Sequence, residues 1–170
     1  MTITQWRMSL ALCLIVAGAL NALASVGYLA GGFAAKWLVA WNVDFWFDLW
    51  GEQGGAADPA TRNQAETLSE YVGTVLLYWA AILAASAPLL IAGGIQALRG
   101  MTPWLIATAG YLGFVLELLG VAISGIGLLH LPGLAAGPLA YITLRKMREA
   151  QRKTPARAGV SRVEHDDDQR

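Results

Sequence analysis

Long uncharged stretches alternate with short polar segments along this chain. Residues 8–35 and 71–98 contain no Asp, Glu, Lys or Arg, and residues 100–144 contain only Glu117. About 20 apolar helical residues span a membrane, because its hydrocarbon core is about 30 Å thick and a helix rises about 1.5 Å per residue. The first two stretches are each long enough for one crossing, and the third for two. The pattern predicts an all-α integral membrane protein with a bundle of four transmembrane helices.

The same pattern predicts where each segment begins and ends. The expected transmembrane helices cover residues 8–30, 71–94, 103–122 and 125–145. Residues 31–70 form a long outer loop, residues 95–102 a short inner loop, and residues 1–7 and 146–170 the two ends of the chain. Within the long loop, Asp58-Pro59 is a helix start signal, and the polar residues after it are expected to form a helix that leads into the second crossing. Thr102-Pro103 is expected to start the third. The last turn has two possible positions. An equal division places it near Ser124, whereas His130-Leu131-Pro132-Gly133 is itself a turn signal.

The distribution of charge predicts the orientation of this bundle. Ten of the twelve Lys and Arg residues are Arg7, Arg99 and those in residues 145–170, and only Lys36 and Arg62 fall in the long loop. Cytoplasmic segments of membrane proteins carry an excess of Lys and Arg. We therefore expect a multi-pass protein of the cell membrane, or inner membrane, and we expect both of its termini to lie in the cytoplasm. The final residues are charged and lack apolar periodicity, so the basic stem is expected to end in a disordered tail.

The first apolar stretch also has features of a signal peptide. Arg7 precedes it, and Ala22-Leu23-Ala24 resembles a small-residue cleavage site. The apolar stretch nevertheless continues beyond Ala24, which favours a retained helix. Cleavage would leave three helices in the same orientation.

Aromatic residues are concentrated at the beginning of the long loop. Their spacing is compatible with an amphipathic helix, and Trp side chains favour the headgroup region of a membrane. A strand is the competing interpretation, but Trp46 and Trp50 would interrupt its polar side. We expect an interfacial helix that anchors the loop, or that docks another membrane subunit or binds lipid. The anchoring residues would be Trp37, Trp41, Phe45, Trp46 and Trp50.

Four polar side chains are candidates for a site inside the membrane. Ionisable groups within a bilayer are costly and usually mark a partner or a function, which draws attention to Glu117 and His130. With a turn near Ser124, these two residues lie at one depth and could form a hydrogen bond. Counted from the ends of their own stretches, Asn21 and Tyr78 reach a similar depth. The structural interpretation is a neutral carboxyl that joins helices. The functional interpretation is a site that binds protons or a solute.

Composition excludes several classes of function. The chain has one cysteine, Cys13, and two histidines, so no cysteine or histidine spacing for a metal or haem exists. We find no nucleophile motif or phosphate-binding loop, and we expect no cofactor and no nucleic-acid partner. A mean hydropathy of +0.48 agrees with a membrane protein.

The sequence favours a small non-catalytic membrane protein, an accessory or assembly subunit that packs against other membrane subunits or its own copies in the lipid bilayer. The alternative is a small transporter or proton-coupled module that uses Glu117. An enzyme acting on lipids at the outer interface is the weakest interpretation, because it would require Asp44, Asp48 or Glu52 to work with Glu117 and His130.

Overall fold

A computed structural model describes residues 2–39, 45, 59–124 and 127–153, and every element in these ranges is helical. Helix α1 covers Ile3–Ala34 and ends in a π-helical turn, Ala35–Val39. Helix α2 covers Pro59–Arg99, and α3 covers Pro103–Ser124. A 3₁₀ turn at Leu128–His130 leads into α4, Leu131–Lys153.

The four helices of the described residues run antiparallel to their neighbours along the chain, so Arg7, Arg99 and Arg145 lie at one end of the bundle. At this charged end, the Arg7 guanidinium donates to the carbonyl of Ala97 (Nε to O 2.8 Å) and to that of Leu98. These carbonyls are among the last of α2 and lack partners within the helix. Gly100 follows with a positive φ of 69°, and the guanidinium also occupies the space that a Cβ at this position would need. Arg7 thus fastens the start of α1 to the end of α2.

Glycines bring α1 and α2 into close contact. A Cβ added to Gly18 would lie 2.9 Å from the carbonyl oxygen of Ala87, and one added to Gly94 would lie 3.0 Å from that of Ala11. Gly32 and Gly73 meet in the same way near the opposite end. Such close approach of backbones is how helices associate in lipid, where no hydrophobic force drives them together.

The buried core lies nearer the charged end, and the bundle opens toward the other. Leu10, Leu14, Leu90 and Ile106 are fully buried there, together with several alanines. Toward the opposite end, residues of α1, α2, α3 and the 3₁₀ turn line a cleft. We call this the cleft end.

The outer surface of the bundle is apolar. Leu23, Val26 and Tyr78 are each more than 60% exposed. Extended apolar surface of this kind is unusual on a water-soluble protein and normal on one surrounded by lipid. Within the described residues, three helical segments are long and apolar enough to cross a membrane: Ile3–Trp37, Pro59–Arg99 and Pro103–Ala122.

The helices differ from the predicted limits mainly at their ends. The helix expected to lead into residue 71 is present: α2 begins at Pro59, which occupies the first turn, where its missing N–H is not needed. The predicted fourth helix, residues 125–145, is displaced toward the C-terminus: α4 begins at Leu131 and continues to Lys153. Pro132 suits the new start, and Glu149, paired with Arg145 and Lys146 one turn away, supports the extension.

Most of the predicted interfacial helix lies outside the described residues. Of its five aromatic anchors, Trp37 is 76% exposed in the π-helical turn and Phe45 is 58% exposed. Trp41, Trp46 and Trp50 belong to the part of the chain that is not described, as do Asp44, Asp48 and Glu52. The interfacial helix stays a prediction.

Candidate functional site

Glu117 and His130 form a direct side-chain contact. Nδ1 of His130 lies 2.7 Å from Oε2 of Glu117, a distance typical of a hydrogen bond with a charged or strongly polar partner. The Glu117 side chain is 10% exposed and that of His130 is 23% exposed. The sequence-based expectation that the two residues lie at one depth and can pair therefore agrees with the geometry.

Two glycines make room for this pair. A Cβ at Gly133 would overlap the Glu117 side chain and would lie 2.7 Å from its Oε1. A Cβ at Gly120 would lie 3.1 Å from Cε1 of the His130 ring. Glu117 thus rests on the backbone of α4, and His130 rests on the backbone of α3. The Pro132-Gly133 sequence, read as a turn signal, has a different role: Gly133 is a buried helical residue that admits the carboxyl.

A second hydrogen bond joins α1 and α2 beside the pair. The Asn21 amide nitrogen donates to Oγ of Ser86 at 3.2 Å, and the Ser86 hydroxyl donates to the carbonyl of Leu83 at 2.9 Å. Both side chains are buried. Asn21, Glu117 and His130 line the same cleft, and we call them, together with Ser86, the polar cluster. Ser86 is a member that the sequence analysis missed.

Tyr78 is not part of the polar cluster. It is 69% exposed and lies eight residues from Ser86 along α2, about 12 Å toward the cleft end. The register of α1 against α2 pairs Asn21 with Ser86, so Tyr78 does not share the depth of Asn21 that the sequence count expected. Successive helical residues are rotated by about 100°, and the neighbouring Trp79, rather than Tyr78, lines the cleft.

The cleft that contains the polar cluster is large and mostly apolar. Its volume is about 650 Å³, within the range of small-molecule sites. Leucines and valine from α1, α2 and α3 form most of its walls, and Tyr28 and Trp79 contribute aromatic surface. Exposed Leu23 and Leu129 lie at its margin. In small-molecule sites, a few polar groups inside an apolar cleft fix the orientation of the ligand.

Chemically, the pair can hold a proton without net charge. A neutral carboxyl beside a neutral imidazole and a carboxylate beside an imidazolium contain the same number of protons, and both arrangements are neutral. Removing that shared proton would leave one negative charge in apolar surroundings, which is costly unless a donor or cation replaces it. Within the described residues, no group of three His, Cys, Asp or Glu side chains could hold a metal ion.

Comparisons with protein-family models, with characterised proteins and with solved structures find no match to this chain.

Proposed function

We propose that this chain is a four-helix integral membrane protein of the cell membrane with both termini in the cytoplasm. Three helices meet the length and hydropathy needed to cross a membrane. For the fourth crossing, the 3₁₀ turn and α4 up to Arg145 together rise about 28 Å, close to the thickness of the hydrocarbon core. The basic residues at the charged end support its assignment to the cytoplasm.

We further propose that the protein binds a small, largely apolar solute in the cleft, in a manner coupled to a proton on the Glu117–His130 pair. The observation that carries this proposal is the 2.7 Å contact between these side chains within an apolar cleft of about 650 Å³. A guest with a cationic or hydrogen-bond-donating group could replace the proton as the partner of Glu117. The activity is binding or transport rather than catalysis.

The role of an accessory subunit, expected from the sequence, is a second proposal. Among the described residues, no specific surface for a partner subunit supports it. The small-residue contacts within the described helices are used for packing α1 against α2, rather than being presented to a partner. The aromatic segment that could dock a partner is mainly outside the described residues.

Cysteine accessibility can test whether the cleft opens to water on the outer side. Ala24 lines the cleft, whereas Ala22, one half-turn earlier on α1, is exposed on the apolar surface of the bundle. In a background with Cys13→Ala, a membrane-impermeant thiosulfonate applied outside intact cells should modify Ala24→Cys at least about tenfold faster than Ala22→Cys. The reason is that the reactive thiolate forms in water and not in lipid.

Met101→Cys provides the control for sidedness, because Met101 is 60% exposed at the charged end. It should react only after the membrane is permeabilised. Equal rates at Ala22 and Ala24 would contradict a water-accessible cleft. Reaction of Met101→Cys from outside would instead overturn the orientation.

A further inference from the structure

A second cavity lies at the charged end, between α3 and α4. Its volume is about 450 Å³. Tyr111 and Tyr141 form one part of its wall, and Arg145, Arg148 and Arg152 form another. It is remote from the polar cluster and shares none of its residues.

The wall contributed by α4 is a single stripe along the helix. Tyr141, Arg145, Arg148 and Arg152 are separated by four, three and four residues, the spacing of one helical face. The stripe is about 16 Å long, with tyrosine toward the middle of the bundle and arginines toward the end of α4. Tyr111 lies eight residues after Pro103, so it faces the cavity about 12 Å from the start of α3. An aromatic wall thus leads into a basic wall.

The one acidic residue in this cavity is already paired. Glu149 accepts hydrogen bonds from Arg145 (Nε to Oε1 3.0 Å) and Lys146 (Nζ to Oε2 3.1 Å). These bonds, the one from Lys146 first, lower the pKa of Glu149 below its ordinary value, so the carboxylate remains ionised. Three arginines and one glutamate leave the lining with a formal charge of +2. Arg148 and Arg152 are not used in the Glu149 ion pairs.

We propose that this cavity binds the phosphate headgroup of one anionic phospholipid from the cytoplasmic leaflet. Arginine is suited to phosphate, because its planar guanidinium donates two parallel hydrogen bonds. The tyrosines provide amphipathic surface for the glycerol region and the first acyl carbons. Basic pockets on the cytoplasmic side of transmembrane helices are known to hold anionic headgroups. The inference rests on the proposed membrane placement, and not on the proton-coupled role of the cleft.

Native mass spectrometry of the full chain in detergent can test this site. Phosphatidylglycerol and phosphatidylcholine with the same acyl chains are titrated separately. The wild-type protein should retain one phosphatidylglycerol molecule in preference to phosphatidylcholine. The double variant Arg148→Gln/Arg152→Gln should bind phosphatidylglycerol roughly 10- to 30-fold more weakly, since each arginine near an anionic headgroup contributes appreciably to binding.

The matched control removes the same charge from the same end of the bundle. Arg99 does not line the cavity, and unlike Lys146 it forms no ion pair with Glu149. Arg99→Gln should therefore weaken binding by about threefold at most, because salt screens charges outside the site, whereas the single variant Arg148→Gln should weaken it by more. Equal losses in Arg99→Gln and Arg148→Gln, or no preference between the lipids, would overturn the proposal.

A second arm distinguishes a lipid site from a site for soluble phosphate. Glycerol phosphate at millimolar concentration should displace little phosphatidylglycerol, because it lacks the acyl chains that meet the tyrosines. Displacement at equal concentrations would assign the cavity to a soluble phosphate and overturn the lipid assignment. Release of the chain from membranes by alkaline carbonate, measured beforehand, would refute the membrane placement independently of the titration.

Discussion

Gly133→Ala should destabilise the folded protein by about 2–3 kcal/mol, although alanine favours a helix over glycine. The added Cβ would overlap the side chain of Glu117, which lies on the α4 backbone at this position. Glu117 would have to move, and its hydrogen bond to His130 would be lost. The free energy of unfolding in mixed detergent micelles, measured by circular dichroism, would reveal this loss.

Gly27→Ala is the matched control, because a Cβ at Gly27 meets nothing within 4 Å. It should leave stability unchanged or raise it by up to about 1 kcal/mol. A double-mutant cycle then isolates the cause. In a Glu117→Ala background the space beside Gly133 is empty, so Gly133→Ala should become nearly neutral. A cost that persists in that background would contradict the contact between Gly133 and Glu117.

Glu117→Gln and Glu117→Leu should have clearly different effects. The glutamine amide can still donate a hydrogen bond to His130, so this variant should retain most of the stability. Leucine would leave the His130 ring nitrogen without its Glu117 partner, at a cost on the order of 1–2 kcal/mol, the usual scale for hydrogen bonds within membranes. The same unfolding measurement compares the two variants.

His130→Leu provides a test from the other side of the pair. If the pair acts as a unit, the losses in His130→Leu and Glu117→Leu should not add in the double variant, because either change removes the same bond. Additive losses would show that the two side chains stabilise the protein separately.

The helices were largely predictable from sequence, because the cost of burying charge in a membrane leaves long uncharged stretches. Proline marked the beginnings of α2 and α3 at Pro59 and Pro103. The end of α4 was not predictable. The length of a membrane crossing suggested residue 145, whereas ion pairs within the helix continue it to Lys153. Hydropathy reports where a membrane segment ends, and helix formation can continue beyond that point.

The polar cluster was only partly predictable. Glu117 and His130 stand out because charge is rare in these stretches, and counting from the turn placed them at one depth. Tyr78 does not join the cluster, because a count of residues along the chain does not determine which face of a helix a side chain occupies. Trp79 occupies the face toward the cleft. Nothing in the sequence distinguished Ser86 as a member of the polar cluster, because it is one serine among many small residues. Gly133 resembled a turn residue, and its contact with Glu117 depends on packing between α3 and α4 that local sequence does not encode.

The proposed function requires Glu117 to carry an exchangeable proton and to be reachable from the apolar cleft. Reaction with dicyclohexylcarbodiimide tests this directly, because an apolar carbodiimide adds across its C=N bond the O–H of a protonated carboxyl. Folded protein in membranes should acquire one adduct, assigned to Glu117 by peptide mass spectrometry. The adduct should be absent in Glu117→Gln. If Glu117 reacts only after denaturation, the carboxyl is a closed structural contact and the proton-coupled site is refuted.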